Sequence, residues 1–286
     1  MSEPGARHGA TTVGALPELH PAASGKRSRR MIEILAMVSQ HESVSLAELC
    51  AALGVSAATV RRDLADLDYQ RLLRRTHGGA AVIGSRAELP VALRDTQFLE
   101  AKRLIATQTA ILIPPERHAV ALSGGSTTAQ VARALSNHRD LTIITNSLTI
   151  ATLVTSYPQL KVIMTGGSLR HQSLELVGIL AENTFNAVNV GTAILGTDGI
   201  TAEGGVTTHD ETEARTNRAM VMHAQRTIVV ADGSKIGTLA MAKVADIDSI
   251  DTLVTDERAN PDALAAIERA GVTVRVVTVA DRRDHP

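Results

Sequence analysis

Apolar residues recur at helical spacing in three short stretches near the start of the chain. Met31, Ile34, Leu35 and Val38 stand at i, i+3, i+4 and i+7, and Leu46, Leu49, Cys50 and Leu53 repeat the spacing, so each set predicts a one-sided helix. The second helix opens on SLAE, where Ser45 can cap and Glu48 can reach back as a capping box, and it stops at Gly54, a natural left-handed terminator. A third follows at once, with Ser56 as N-cap and Ala57, Val60, Leu64 and Leu67 as the buried stripe. At about 100° per residue, Arg62 then lies opposite the stripe, Ala58 and Thr59 point outward and Arg61 sits on the flank. Next comes RLLRRTHGGAAV, whose alternation around a glycine pair predicts a two-stranded hairpin carrying Arg74 and Arg75.

Beyond residue 101 the pattern changes. Helical stretches alternate with the β-rich runs HAVAL, LTIIT, KVIMT, GTAIL, TIVVA, DTLVT and VTVRVV, and such alternation predicts a parallel sheet covered by helices. The expected fold class is α/β. A winged helix-turn-helix domain over 26–84 is joined by a connector over 85–101, which contains Pro90, to a doubly wound, mostly parallel α/β domain over 102–286. Residues 1–25, rich in Gly, Ala, Pro, Ser and Thr without an apolar period, are expected to form a disordered tail.

Composition narrows the chemistry. The 286 residues are 44% hydrophobic and 21% charged, a globular balance. Tyr69, Tyr157, Phe98 and Phe185 are all the aromatic residues, so the core must be aliphatic and a ring-stacking clamp for a base or flavin has little to work with. The single cysteine, Cys50, lies on a core stripe; it excludes an internal disulfide and a Cys-rich zinc site and suits a reducing compartment. No charge-flanked apolar segment opens the chain and no uninterrupted apolar run reaches about 18 residues, so a cytoplasmic location with no membrane partner is expected. No motif calls for a cofactor or metal.

Charge is unevenly placed. The chain carries −1 overall, yet residues 26–86 hold ten Lys/Arg against six acids, a basic segment on an acidic remainder. A module that binds a phosphate backbone should have this balance. Arg-Arg-Asp on a helix is by itself an ordinary solvated face. Two preceding helices, the turn LGVS and an arginine-bearing wing make it a helix that reads DNA, because small outward residues admit close approach and arginine can fork onto guanine or phosphate. Ser56, Ala58, Thr59, Arg61 and Arg62 are the expected DNA-facing residues of the helix, and Arg74, Arg75 and His77 those of the wing. His77 is read as a turn residue or phosphate contact, not as a catalyst.

Open parallel sheets bind ligands outside the carboxyl ends of their strands. Five successive strands here end in small, polar turns: SGGSTT, TNS, TGG, GTDG and ADGSK. SGGSTT runs into the helical AQVARAL, so two glycines, three hydroxyls and the N–H groups of a helix start could cradle a phosphate. It matches neither the Walker pattern nor GxGxxG. Alone it serves equally well as a local strand-to-helix turn; the four other turns on one rim favour a ligand.

The run GVSAATVRRDLADLDYQRLLRRTHGGAAV resembles the N-terminal signature of the DeoR family of bacterial transcriptional regulators, with Arg71 standing where the family usually has glycine. From about Arg94 to Val277, the motifs SGGSTT, TNSLTIA, TGGSLR, GTDGI, TEARTNRAM and ADGSKIG resemble that family's effector domain, which shares the fold of ribose 5-phosphate isomerase and the coenzyme A transferases. Ser123, where many members have aspartate, and Gly191, near where an acid often opens the fourth strand, depart from the pattern. The resemblance implies a repressor that binds double-stranded operator DNA as a homo-oligomer, dimer or tetramer, and responds to a phosphorylated sugar or related metabolite. It carries over Gly124, Gly125, Ser126, Thr127 and Thr128 as the phosphate loop. Asn146 and Gly167 become rim donors, Asp198 a sugar-hydroxyl acceptor, and Lys235 a cation facing phosphate, or else a solvated lysine. Glu213 is either a ligand contact or the partner of Arg218 in an intrahelical ion pair.

Two other functions fit the same fold. A sugar-phosphate isomerase or coenzyme A transferase-like enzyme could nominally use Asp198 and Lys235, but GGVTTHDETEA lacks the basic residue followed by glutamate and lysine expected after an isomerase's glycine turn, and the basic segment would go unexplained. A DNA-binding scaffold whose α/β domain only oligomerises is the third.

Overall fold

The computed structural model of the chain describes residues 25–41, 43–70, 72–81, 88–95 and 97–279. Apart from Gly25, the tail expected over 1–25 lies outside the described residues, as do Arg71 and Arg86.

The three helical patterns form α1 (Gly25–His41), α2 (Leu46–Leu53) and α3 (Ala57–Tyr69), with a short strand β1 (Ser43–Ser45) between the first two. Ser45 Oγ accepts from Glu48 N while Glu48 reaches back to Ser45 N, so the capping box forms, and Gly54 closes α2 in the left-handed region at φ 62°. Ser56 Oγ accepts from Thr59 N at the start of α3. Ile34, Leu49, Val60 and Leu67 are wholly buried in one aliphatic core; Ala57, counted in the stripe, is only half-buried.

The wing is β2 (Arg74–Thr76) and β3 (Gly79–Ala81), turning at His77 and Gly78, and β3 pairs antiparallel with both β2 and β1. Glycine is required at 79: a Cβ there would stand 2.0 Å from the Val44 carbonyl oxygen, and β1 could not lie against the wing.

The expected connector is itself structured. Residues 88–95 hold a single helical turn, α4 (Val91–Arg94), and α5 (Leu99–Ala110) starts before residue 102. Val91 and Leu93 are buried, so this stretch is packed structure and not a free linker. The chain continues through β4 (His118–Leu122), α6 (Ser126–Ala134), β5 (Leu141–Thr145), α7 (Leu148–Val154) and β6 (Lys161–Met164). A hairpin, β7 (Ser168–Arg170) and β8 (Glu175–Val177), precedes α8 (Ile179–Asn186) and β9 (Thr192–Leu195). Then come β10 (Gly199–Thr201), β11 (Gly205–Thr208), α9 (Glu211–Met222), β12 (Thr227–Val230), β13 (Ala242–Ala245), β14 (Thr252–Asp256), α10 (Pro261–Arg269) and β15 (Thr273–Val277).

All seven β-rich runs expected from the sequence pair parallel in one sheet, in the order β15-β14-β12-β9-β4-β5-β6. Strand alternation divides the core between two faces: Val120, Ile228 and Val230 pack under α5, α6 and α7, while Ala121 and Val229 pack toward α8 and α9. From β4 the chain winds outward to β5 and β6, then returns to place β9 on the other side of β4. The strand order therefore reverses between β4 and β9, where a doubly wound sheet opens a crevice. The antiparallel sheet β10-β11-β13 and the β7–β8 hairpin were not expected; their strands are three or four residues long and too short to show a period. No helix among the described residues is long and apolar enough to cross a membrane.

Candidate functional site

The crevice between β4 and β9 is a cleft open to solvent. Turns after three parallel strands converge on it: Gly124 to Thr127 after β4, Gly196 to Asp198 after β9, and Asp232 with Lys235 after β12. Gly125 has φ 124° and caps α6 without a side chain, so the N–H groups of the first turn, at Ser126 and Thr127, receive no side-chain cap among the described residues. Free helix-start donors carry partial positive charge and suit an anion.

Most of the expected ligand residues meet here. Gly124, Gly125, Ser126, Thr127, Asp198, Glu213 and Lys235 line the cleft. Thr128 does not: it is fully buried behind the loop, its hydroxyl donating to the Gly125 carbonyl at 3.0 Å. Asn146 and Gly167 are also absent from the lining, because β5 and β6 lie outward of the crevice and the β7–β8 hairpin occupies the space before them. Gly167 packs on β8, where a Cβ would meet the Val177 carbonyl at 2.8 Å. The Asn146 carbonyl accepts from Leu176 N, and its buried side-chain amide has no partner among the described residues.

Sequence reasoning passed over Arg94, Lys102, Glu175 and Asp232. Lys102 is buried on α5; its Nζ donates to Ser126 Oγ at 2.9 Å and to the Arg94 carbonyl at 2.8 Å, with Asp232 at 4.0 Å. Burial lowers this lysine to about 8 against the pull of Asp232 and Asp95. A signal existed, since Lys102 shares one face of α5 with the buried Ile105, Ala106 and Thr109. Glu175, wholly buried, accepts from Gly124 N at 2.6 Å, and a Cβ on Gly124 would collide with its carboxyl group. Burial raises the Glu175 carboxyl against that hydrogen bond. Nothing in the sequence pattern marked Glu175 or Arg94.

The wall opposite the loop is acidic. Thr208 Oγ1 lies 2.7 Å from Glu213 Oε1 and 3.0 Å from Asp198 Oδ2, and one hydroxyl proton cannot serve both carboxylates. Burial, then the neighbouring Glu175, raises Glu213 well above the usual range. Burial also disfavours the Asp198 charge, but Arg94 and Lys235 outweigh it and hold that carboxyl below its ordinary value. Burial thus favours the neutral form of Glu213, while Arg94 and Lys235 favour the ionised form of Asp198, with the Thr208 hydroxyl between the two. The intrahelical pair offered as the alternative for Glu213 does not form: Arg218 donates to the Val244 carbonyl, while Glu213 faces Arg170 at 3.2 Å. Arg94 NH1 donates to Asp198 at 3.1 Å, and Lys235 Nζ stands 3.9 Å from the same carboxylate. Buried atoms of the lining, Arg94 Nε and Asn217 Oδ1 among them, have no hydrogen-bond partner among the described residues, which leaves hydrogen-bonding capacity for a ligand.

The second surface is on α3 and the wing. Ser56, Ala58, Arg61, Arg62, Arg74, Arg75 and His77 are exposed and Thr59 is half-buried. Among the described residues none of the four arginines makes an ion pair, whereas Arg27 and Arg30 of α1 are both consumed by Asp63, with Asp66 also on Arg27. Asp63 and Asp66, acids of α3 that dilute its charge in the sequence, are thus paired with α1. Asp68 is paired with the wing, accepting from Arg75 N at 3.1 Å.

Comparison with known proteins agrees with this division. Residues 30–86 match the family model described as a DeoR-like helix-turn-helix domain, and residues 97–257 match the DeoR C terminal sensor domain. Over 263 residues the chain is 36% identical to a putative aga operon transcriptional repressor of Escherichia coli O157:H7, covering 89% of this chain and 97% of that one. Over 231 residues it is 34% identical to the glycerol-3-phosphate regulon repressor of Escherichia coli strain K12, covering 81% and 91%. Among solved structures, ribose 5-phosphate isomerase A of Neisseria gonorrhoeae aligns at TM-score 0.36 and 17% identity over 47% of this chain, which spans about half (52%) of that enzyme. The sorbitol operon regulator SorC of Klebsiella pneumoniae aligns at TM-score 0.39 and 12% identity, over 84% of this chain and 98% of that one.

Proposed function

The chain belongs to the DeoR family of DNA-binding transcriptional regulators, and from that premise we propose that it represses a carbohydrate operon and that a phosphorylated sugar in the cleft sets its operator affinity. The observation that carries this reading is the meeting, at the point where the strand order reverses, of an uncapped helix start, two lysines and a carboxylate wall. The first-turn amides at Ser126 and Thr127, with Lys102 and Lys235, hold the phosphate. Asp198 and Glu213, with the Thr208 hydroxyl between them, take the sugar hydroxyls. Relatives named as repressors of the aga operon and of the glycerol-3-phosphate regulon support a carbohydrate or polyol ligand.

On this reading the protein is cytoplasmic, binds operator DNA as a dimer or tetramer, and does not turn its ligand over. The module that reads DNA spans 26–84 and the sensing unit begins at the stretch that holds α4. Ser56, Ala58, Thr59, Arg61 and Arg62 enter the major groove, with Arg74, Arg75 and His77 on the flanking phosphates. Mobility shift on the duplex upstream of the protein's own gene, with and without a panel of sugar phosphates, tests it. Sequence-specific retardation that one sugar phosphate alters is expected; absence of specific retardation at every salt concentration defeats the proposal.

A further inference from the structure

The turn α4 faces two units at once. Leu93 is buried with α1 in the aliphatic core of the DNA-binding module, and the very next residue, Arg94, lines the cleft. Polar links tie this segment to the sensing unit. The Arg94 guanidinium holds Asp198 at 3.1 Å and stands 3.4 Å from Glu88; the Arg94 carbonyl accepts from Lys102 Nζ; Val91 N donates to the Gln172 carbonyl at 2.8 Å. Glu88 is held a second time by Arg170, the residue that also faces Glu213. The side chains of Glu88, Arg94 and Arg170 are only 10%, 17% and 14% exposed, so water has little access to replace a lost partner. Breaking one such pair leaves a charge that must find another partner, and that demand makes the arrangement discrete rather than graded.

We infer that α4 reports the state of the cleft to the DNA-binding module: a ligand hydroxyl or acidic group entering beside Asp198 takes Arg94 from Asp198 and Glu88, and Leu93 carries the displaced turn into the core beneath α1. The inference rests on the ligand reading above for what enters the cleft, but the link from Asp198 through Arg94 to α1 exists without ligand or operator and is tested without either.

Hydrogen exchange on the full chain, free of DNA and ligand, reads it directly. The isosteric Asp198→Asn weakens the hold on Arg94, and we expect exchange at the α4 amides, such as Asp95 N to the Val91 carbonyl, and at α1 amides near Ile34 to rise about tenfold. Asp251→Asn likewise weakens a carboxylate's hold, here the hydrogen bond accepted from Thr227 N at 2.7 Å at the opposite end of the strands, and should leave α1 as in the wild type. Adding Leu93→Ala to Asp198→Asn should keep the change at α4 and abolish the further change at α1, and Leu93→Met should restore it. If Asp198→Asn alters only the turns around the cleft, or if Asp251→Asn accelerates α1 equally, the inference is wrong, whatever the ligand proves to be.

Discussion

The two functional surfaces treat their cations in opposite ways. On α3 and the wing, Arg61, Arg62, Arg74 and Arg75 stand exposed with no ion-pair partner among the described residues, because the acids of α3 are spent on α1 and on the wing backbone. In the cleft, Arg94, Lys102 and Lys235 each face a carboxylate within 4.0 Å. DNA brings its own dense charge, so a surface that binds it can present bare cations and gain by releasing counterions. A small ligand cannot desolvate an unpaired buried cation on arrival; a site that stores its cations in ion pairs binds by exchanging partners, and partner exchange can move the elements that hold them.

Variants should separate the two surfaces. The largest effect is expected of Gly79→Val. With a Cβ 2.0 Å from the Val44 carbonyl, β1 and β3 cannot pair, and the DNA-binding module should lose about 3 kcal/mol or more. Calorimetry should then show an early transition for that module and a sensing unit that still binds its ligand; retention of wild-type DNA binding would break the structural account of the wing. Thr127→Asp is the reverse case. A carboxylate at the α6 start should abolish the roughly 2.7 kcal/mol that a ligand at 100 times its Kd contributes to thermal stability, with ligand-free DNA affinity intact. Persistent stabilisation would remove the phosphate from that loop.

Within the DNA surface, helix and wing should differ. Arg62→Ala should cost about tenfold or more in discrimination between operator and random duplex, whereas Arg75→Ala should weaken both and lower the salt slope by about 1. Titrations at several salt concentrations distinguish these, and equal losses on both duplexes for Arg62→Ala would mean that α3 docks otherwise.

The subtlest contrast is in pH. Folded Lys102 loses its proton at about 8, while the unfolded chain keeps it to the ordinary 10.5. Between those values the unfolded state binds more protons, so ligand-free stability of the sensing unit should rise with pH across that window. Phosphate binding beside the ammonium should fall by up to about tenfold per pH unit above 8 over the same range. Melting curves from pH 7 to 9, with and without the sugar phosphate, should show these opposite slopes, and Lys102→Arg should flatten the second.

The sequence made the local architecture legible and left the convergence hidden. Helix stripes, the capping box at Ser45, the wing and all seven parallel strands follow from periods of 3.6 and 2 and from cap and turn chemistry, which are properties of neighbouring residues. The turns after β4, β9 and β12 were readable as polar rims for the same reason. Which rims meet is a matter of strand order, and the rim roles that the family resemblance carried over to Asn146 and Gly167 fall on turns outside the crevice lining. Glu175 and Arg94 come from a hairpin and a single helical turn too short for any period, and their roles arise from contacts 51 and 104 residues away along the chain.

On this reading cleft and DNA surface are thermodynamically coupled, and reciprocity tests the coupling. The sugar phosphate that stabilises the protein is titrated against the full chain alone and against its complex with the operator duplex, and operator affinity is measured with and without saturating ligand. A coupled regulator must change ligand affinity on binding DNA by the same factor, in the same direction, as ligand changes DNA affinity, about five- to 150-fold for a typical coupling. Tight binding of both, with each affinity indifferent to the other partner, would contradict it.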